Sequence, residues 1–176
     1  MMVQPRNSSE LSLEKWAEQQ LGNLKPKEIA LLCCLRKNSR EKLTTISKYT
    51  NIPISTLFDY LKQIQLYLIK KYTVILNFAD LGYNCHAFVT LRVPLEHKSK
   101  SLTFLMTANC INSIYRMNNG SDFMVETVHK TIRDLNMFVE YMQNQYNITH
   151  YDIHYLLDEL KKEEFIPLHE VSEDDT

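Results

Sequence analysis

Six side chains between Ser55 and Gln63 could do chemistry at a nucleic-acid surface. Wound into a helix, Ser55, Thr56, Asp59, Lys62 and Gln63 fall on one side, with Tyr60 at its margin. Together they offer hydroxyls, a cation, an amide and a carboxylate to phosphates and base edges. Ile54, Leu57, Leu61 and Ile64 recur at helical spacing on the other side and pin this helix against a first one, seated by Leu43 and Ile46. The run from Leu43 to Ile64 therefore predicts two short helices joined by a tight turn, a helix-turn-helix, and double-stranded DNA as its ligand.

Each residue type suggests a role. Ser55 and Thr56, at the start of the second helix, either donate to phosphates together with the open backbone amides there or serve only as helix caps. Lys62, Lys42, Arg40, Lys70 and Lys71 suit the phosphate backbone, because a flexible point charge carries little base information. Base reading falls to Tyr60, Gln63 and Asp59. Glutamine can pair bidentately with adenine, and a carboxylate can accept from cytosine or act only as a repulsive filter.

A second pattern, His150-x-Asp152-x-His154, would project three ligand-type side chains to one face of a strand. With no further ligand in the pattern it reads as polar surface, and neither a metal nor another cofactor is expected. All six histidines lie beyond residue 80. They read as solvated groups, with a pH-sensitive subunit contact as the alternative. Tyr151, Ile153 and Tyr155, on the alternate face, read as core.

Charge separates the two halves. Through residue 80 there are 12 basic and 7 acidic residues, a balance of +5; the remainder carries 8 and 14, a balance of −6. A basic first half suits a phosphate backbone and an acidic second half does not. The four cysteines, Cys33, Cys34, Cys85 and Cys110, lack metal-type pair spacing, and two are direct neighbours, so reduced and mostly buried thiols are expected. No apolar stretch approaches the roughly 18 residues of a membrane helix. Met1 to Ser9 lacks the basic-then-apolar layout of a secretory signal, so a cytoplasmic protein that meets no membrane is expected.

The elements that must position these residues follow in order. Leu11 to Leu21 reads as a short amphipathic helix carrying Trp16 and closed by Gly22-Asn23. Pro26 opens an apolar supporting helix with Ile29, Leu31, Leu32 and Leu35, which ends at Asn38-Ser39-Arg40. Beyond the helix-turn-helix, Tyr67 to Leu76 is β-branched and aromatic, consistent with a two-stranded wing or one strand leaving it, and so with a winged helix. Strand chemistry follows over Cys85 to Val93, and a helix pattern over Lys98 to Asn109 with Leu102, Leu105 and Met106. Two strands, Ile111 to Met117 and Phe123 to Val128, flank the turn Asn118-Asn119-Gly120-Ser121. A helix then carries Ile132, Leu135, Phe138, Val139 and Met142, and a last strand runs from Ile148 to Leu156. The order β-α-β-β-α-β specifies a four-stranded antiparallel sheet with both helices on one face. Its other face, carrying Phe88, calls for a second subunit, and a homodimer is the simplest answer.

On three segments the chain resembles the Lrp/AsnC family of feast-or-famine transcription regulators. They are Leu24 to Leu32 with Asn38-Ser39-Arg40, Thr45-Ile46-Ser47 to Ile52-Pro53-Ile54-Ser55-Thr56-Leu57, and Tyr72 to Asn77 leading through Leu81-Gly82-Tyr83 to Ala87-Phe88-Val89. The resemblance covers roughly residues 24 to 155. It implies an α+β protein with an N-terminal winged helix-turn-helix and a C-terminal ferredoxin-like (βαββαβ) domain for effector sensing and dimerisation. It further implies assembly as a homodimer or up to an octamer, an amino-acid or other small effector, and an effector-lining turn at Asn119, Gly120, Ser121 and Asp122. The chain departs from the family at Tyr60, where an Arg is usual, at Thr50-Asn51, where a Gly is usual, and at Tyr67 to Lys71, which holds no Gly.

The expected organisation is an extension helix at 1–23, a winged helix-turn-helix at 24–76, a linker at 77–84, the βαββαβ domain at 85–156 and an acidic tail at 157–176. Phe165-Ile166-Pro167-Leu168 either binds a partner or packs on its own domain, and the last residues read as disordered. The expected function is sequence-specific DNA binding in transcription regulation, without catalysis. The alternatives are an enzyme on the same scaffold, like the haem-precursor decarboxylases, and a sensing or architectural module without DNA specificity.

Overall fold

Pro26 starts the first helix where its fixed φ helps and its missing N–H is not needed. In the computed structural model, which describes residues 24–118 and 120–165, that helix is α1 (Pro26–Lys37), and Glu28 turns back to accept from the Lys25 N–H at 2.8 Å. Three expected features lie outside the described residues: the Leu11–Leu21 helix, Asn119 of the effector turn, and the tail beyond Phe165. Two units emerge, one comprising the described residues up to 73 together with 161–165, the other Val74–Leu160.

In the first unit α1 is followed by α2 (Leu43–Thr50) and α3 (Ile54–Tyr67). Their core is Leu31, Leu32, Ile46, Ile52, Leu57 and Ile64. The α2–α3 turn is locked locally. Asn51 takes the left-handed conformation (φ 53°) in place of a glycine, and the Ser47 hydroxyl donates to the Ile52 carbonyl at 2.6 Å. Ile52 thereby enters the core and Ile54, expected to pin the helix, is 47% exposed at the helix's first position.

The wing is a second correction. Tyr67 to Leu76 has the composition of strands, yet residues 68–77 belong to no strand ladder, and 70–77 are exposed. A hairpin must reverse direction, and Tyr67 to Leu76 holds no Gly, Pro, Asn or Asp with which to do so. Later in the chain, Arg36 at the end of α1 donates to Glu163, to its carboxylate at 2.9 Å and to its backbone carbonyl. Both side chains are substantially exposed, so this pair positions residues 161–165 more than it stabilises them.

The second unit contains β1 (Cys85–Arg92), a 3-10 turn (Leu95–His97), α4 (Lys98–Thr107), β2 (Ile111–Arg116), β3 (Phe123–His129), α5 (Ile132–Tyr146) and β4 (His150–Tyr155). All strand pairs are antiparallel, in the order β2-β3-β1-β4. Alternation sends Ala87, Val89, Leu91, Phe123 and Val125 into a core with Leu105, Leu135, Phe138, Val139 and Met142 from the helices. Asn147, left-handed at φ 49°, closes α5. Four residues expected in the core are not there. Met106 (72%) and Ile132 (58%) are exposed near helix ends, and Tyr151 and Tyr155 are exposed because β4 is an edge strand; only Ile153 of that row packs on the core. All four cysteines are free, two buried and two half-buried, and burial raises the thiol pKa of Cys34, Cys85 and Cys110. Among the described residues no helix is long and apolar enough to cross a membrane.

Candidate nucleic-acid interface

The second helix of the pair, α3, presents the candidate face. Leu57 and Ile64 are fully buried toward α1 and α2, which turns Ser55, Asp59, Lys62 and Gln63 outward into solvent. Thr56 is half-buried beside them. Pro53 is the N-cap of α3 and supplies no side-chain cap, while Leu57 N–H already bonds the Pro53 carbonyl at 3.0 Å. Helix geometry then leaves the N–H groups of Ile54, Ser55 and Thr56 without intrahelical acceptors, at the positive end of the helix dipole. Of the two roles open to Ser55 and Thr56, capping is not the one adopted, since they stand at the second and third helical positions.

Tyr60 is not on this outward face. Its ring is half-buried against the three-helix core, with Lys25 Nζ 6.0 Å from the ring centroid. Arg40 and Lys42 are exposed in the short loop before α2, which Asn38 shapes by accepting from Arg40 N–H and donating to Glu41. Lys70 and Lys71 are exposed on the extended segment after α3. Arg40, Lys42, Ser55, Lys62 and their neighbours thus belong to one unit.

Sequence reading missed Phe58. It is 48% exposed on the flank of the outward face, and Lys62 Nζ sits 4.6 Å from its ring centroid. One turn earlier, Ile54 adds a second exposed apolar group to the same flank. The signal was present, since 54, 58 and 62 form one row of a helix, but Phe58 is equally a neighbour of the core positions 57 and 61.

In the second unit the turn expected to line an effector site is held from below. Gly120 is left-handed (φ +78°), as a tight hairpin turn requires. Asp122 accepts from Val93 N–H at 2.8 Å through one oxygen and pairs with Lys98 Nζ at 2.7 Å through the other. Burial pushes its pKa up, but the hydrogen bonds and charge of Lys98 and the Val93 N–H outweigh that and hold it below the usual value. Both carboxylate oxygens are committed within the chain. Asp122→Ala is expected to destabilise the second unit by about 1–2 kcal/mol, the loss of two charge-assisted hydrogen bonds at a partly exposed site. Denaturant unfolding of that unit measures it.

The sheet face away from the helices carries a polar cluster that sequence reading did not single out. Glu126 on β3 is buried, with one oxygen 2.9 Å from His86 Nε2 and the other accepting from Ser113 Oγ (2.6 Å) and Asn112 Nδ2 (2.8 Å). Burial raises its pKa, yet the donors from Ser113, Asn112 and His86 overcome this and leave it lowered. Around it stand Phe88, Met124 and Val128, half-buried or buried, and Tyr115, 47% exposed. His150 and Asp152 pair at 3.2 Å at the exposed β4 edge of the same face, with His154 two residues on. Among the described residues no group of three His, Cys, Asp or Glu is arranged to hold a metal ion.

No protein-family model matches the chain. Among curated proteins it is similar to the HTH-type transcriptional regulator FL11 of Pyrococcus furiosus, 30% identical over 107 residues, which cover 60% of this chain and 71% of that protein. FL11 of Pyrococcus abyssi is 28% identical over the same span and shares. Among solved structures, a Neisseria meningitidis transcriptional regulator in complex with L-Met superposes with a TM-score of 0.75 at 15% identity, covering 82% of this chain and 97% of that one. AsnC of E. coli gives 0.72 at 14% identity, covering 82% and 100%. With a helix-turn-helix ahead of a βαββαβ unit, and a relative of this identity and span, the chain belongs to the Lrp/AsnC family of helix-turn-helix transcription regulators.

Proposed function

We propose that this regulator binds specific DNA sequences as a homodimer, through α3 and the basic groups around it, and that a small effector biases its assembly. The observation that carries the DNA reading is the outward face of α3. Ser55, Asp59, Lys62 and Gln63 are solvent-exposed beside an uncapped helix N-terminus, on a helix fixed by the buried Leu57 and Ile64. Arg40, Lys42, Ser55, Thr56, Lys62, Lys70 and Lys71 supply phosphate contacts and affinity. Gln63 and Asp59 supply base contacts, and Tyr60, packed on the core, reaches the DNA only by its rim.

Support for the dimer comes from the face of the sheet opposite the helices, where Phe88, Met124 and Tyr115 surround the Glu126 cluster. A two-fold pair would place two α3 helices in successive major grooves about 34 Å apart, and so require an operator with inverted half-sites. An amino acid as effector is supported by the likeness to a regulator solved with L-Met, and Gly120, Ser121 and the braced Asp122 are the turn we assign to it. Linkage demands that such a ligand bind one assembly better than another. The reading is of a cytoplasmic regulator and not of an enzyme.

The test is selection of duplexes from a random pool, followed by binding at several salt concentrations and by gel filtration. A consensus with two-fold symmetry is the expected result. Recovery of no consensus, or of a monomer bound to one half-site, would count against the reading. Arg40→Ala and Lys42→Ala are each expected to weaken binding to all sequences alike and to reduce the salt slope by about 1. Gln63→Ala is expected to relax preference at one position of each half-site.

A further inference from the structure

We infer that Phe58, supported by Ile54, selects thymine by apolar contact with its 5-methyl group in the major groove. This rests on the DNA reading above and names a determinant of its sequence preference. Ile54 and Phe58 are large apolar side chains of α3 that take no part in the core of the first unit. Ile54 is 47% exposed and Phe58 48%, whereas Leu57 between them is fully buried. Both occupy the first turn and a half of α3, the part of a recognition helix that approaches base edges.

The surroundings of Phe58 fit that use. Lys62 Nζ stands 4.6 Å from its ring centroid, so a cation able to reach a phosphate lies against the ring. In the major groove the only apolar mark a base pair carries is the thymine methyl, so an exposed aromatic side chain favours A·T over G·C at the position it meets. Phe58 is thereby a specificity residue, while the affinity residues are the basic groups around it.

Deoxyuridine lacks only the 5-methyl group of thymine, which makes a direct test available. The probe is the duplex recovered from random-pool selection, with each thymine replaced in turn by deoxyuridine. The intact chain is expected to lose about 3- to 10-fold in affinity at one thymine per half-site, the size of effect a buried methyl produces. Phe58→Ala is expected to bind the thymine duplex correspondingly more weakly and to be indifferent to the replacement, with Phe58→Leu retaining part of the discrimination. Because Phe58 is half exposed, thermal unfolding of these variants should stay close to the parent, which separates lost contact from lost fold.

If selection returns no consensus, the DNA-specific reading itself fails. If a consensus appears but no deoxyuridine position matters, or the same loss persists in Phe58→Ala, the assignment to Phe58 is overturned while the DNA reading stands. A Phe58→Ala variant that keeps full discrimination but changes the mass of the assembly would move Phe58 to a protein contact and overturn it as well.

Discussion

Leu57→Ala is expected to abolish DNA binding while leaving the second unit folded. Leu57 is fully buried where α3 meets α1 and α2, in a core of six residues. Removing its side chain should cost about 2–5 kcal/mol, the lost burial plus the cavity that a short helical packing cannot close. A unit of about fifty residues holds only roughly 3–7 kcal/mol in total. The first unit would therefore be largely unfolded, and affinity for any duplex should fall by more than about 100-fold by the arithmetic of RT. Leu66→Ala is the control, because Leu66 is 88% exposed on the same helix and should change stability by less than about 0.5 kcal/mol. Duplex titration followed by fluorescence anisotropy, with denaturant unfolding of both variants, decides the matter. Retained binding by Leu57→Ala at parent affinity would show that α3 is not held as described.

What the sequence disclosed and what it concealed divide along physical lines. Leu57 and Ile64 were legible as core because they recur at helical period through an uninterrupted element, and Ala87, Val89 and Leu91 because they alternate along a strand. Ile54, Met106 and Ile132 fit their periods equally well, yet each lies near an end of its helix, where the facing element does not cover it. Tyr67 to Leu76 looked like a wing because β-propensity reports side-chain shape and says nothing of a partner strand. Asn51 was readable as a glycine substitute in the turn from its tolerance of positive φ.

The proposed binding face was partly legible. Ser55, Asp59, Lys62 and Gln63 lie where a helical wheel puts them, whereas Tyr60, one step toward the core row, packs on it. Phe58 was concealed because an apolar residue next to an apolar stripe reads as its margin. The Glu126 cluster was concealed for a different reason. Its members come from β1, β2 and β3, and Glu126 meets Ser113 only because the β2–β3 register shifts between Ile111 and Ser113. No local pattern encodes that meeting, since it depends on strand pairing.

Glu126 is also where the second large effect should appear. Its carboxylate takes up three donors, from His86, Ser113 and Asn112, and its side chain is only 7% exposed. Glu126→Ala would leave those donors facing a void, and removing one partner of such a buried pair costs about 3–5 kcal/mol. Replacing Glu126 and His86 together by Leu should recover only part of that loss, because Ser113 and Asn112 would still be left without their acceptor. The pH dependence has a fixed sign. Because the folded carboxyl lies below its ordinary value of 4.5, its contribution is fully present above that value and is lost as pH falls through the folded one. Urea midpoints should therefore fall for the parent chain between pH 6 and pH 3, by more than for Glu126→Gln, which has no carboxyl to titrate there. If the dimer forms through this sheet face, gel filtration of Glu126→Ala at pH 7 should also show a shift toward the single chain, since the face that carries the cluster would lose its order. Equal stability of parent and Glu126→Ala across that range would show that the carboxylate is solvated rather than bound by its three donors.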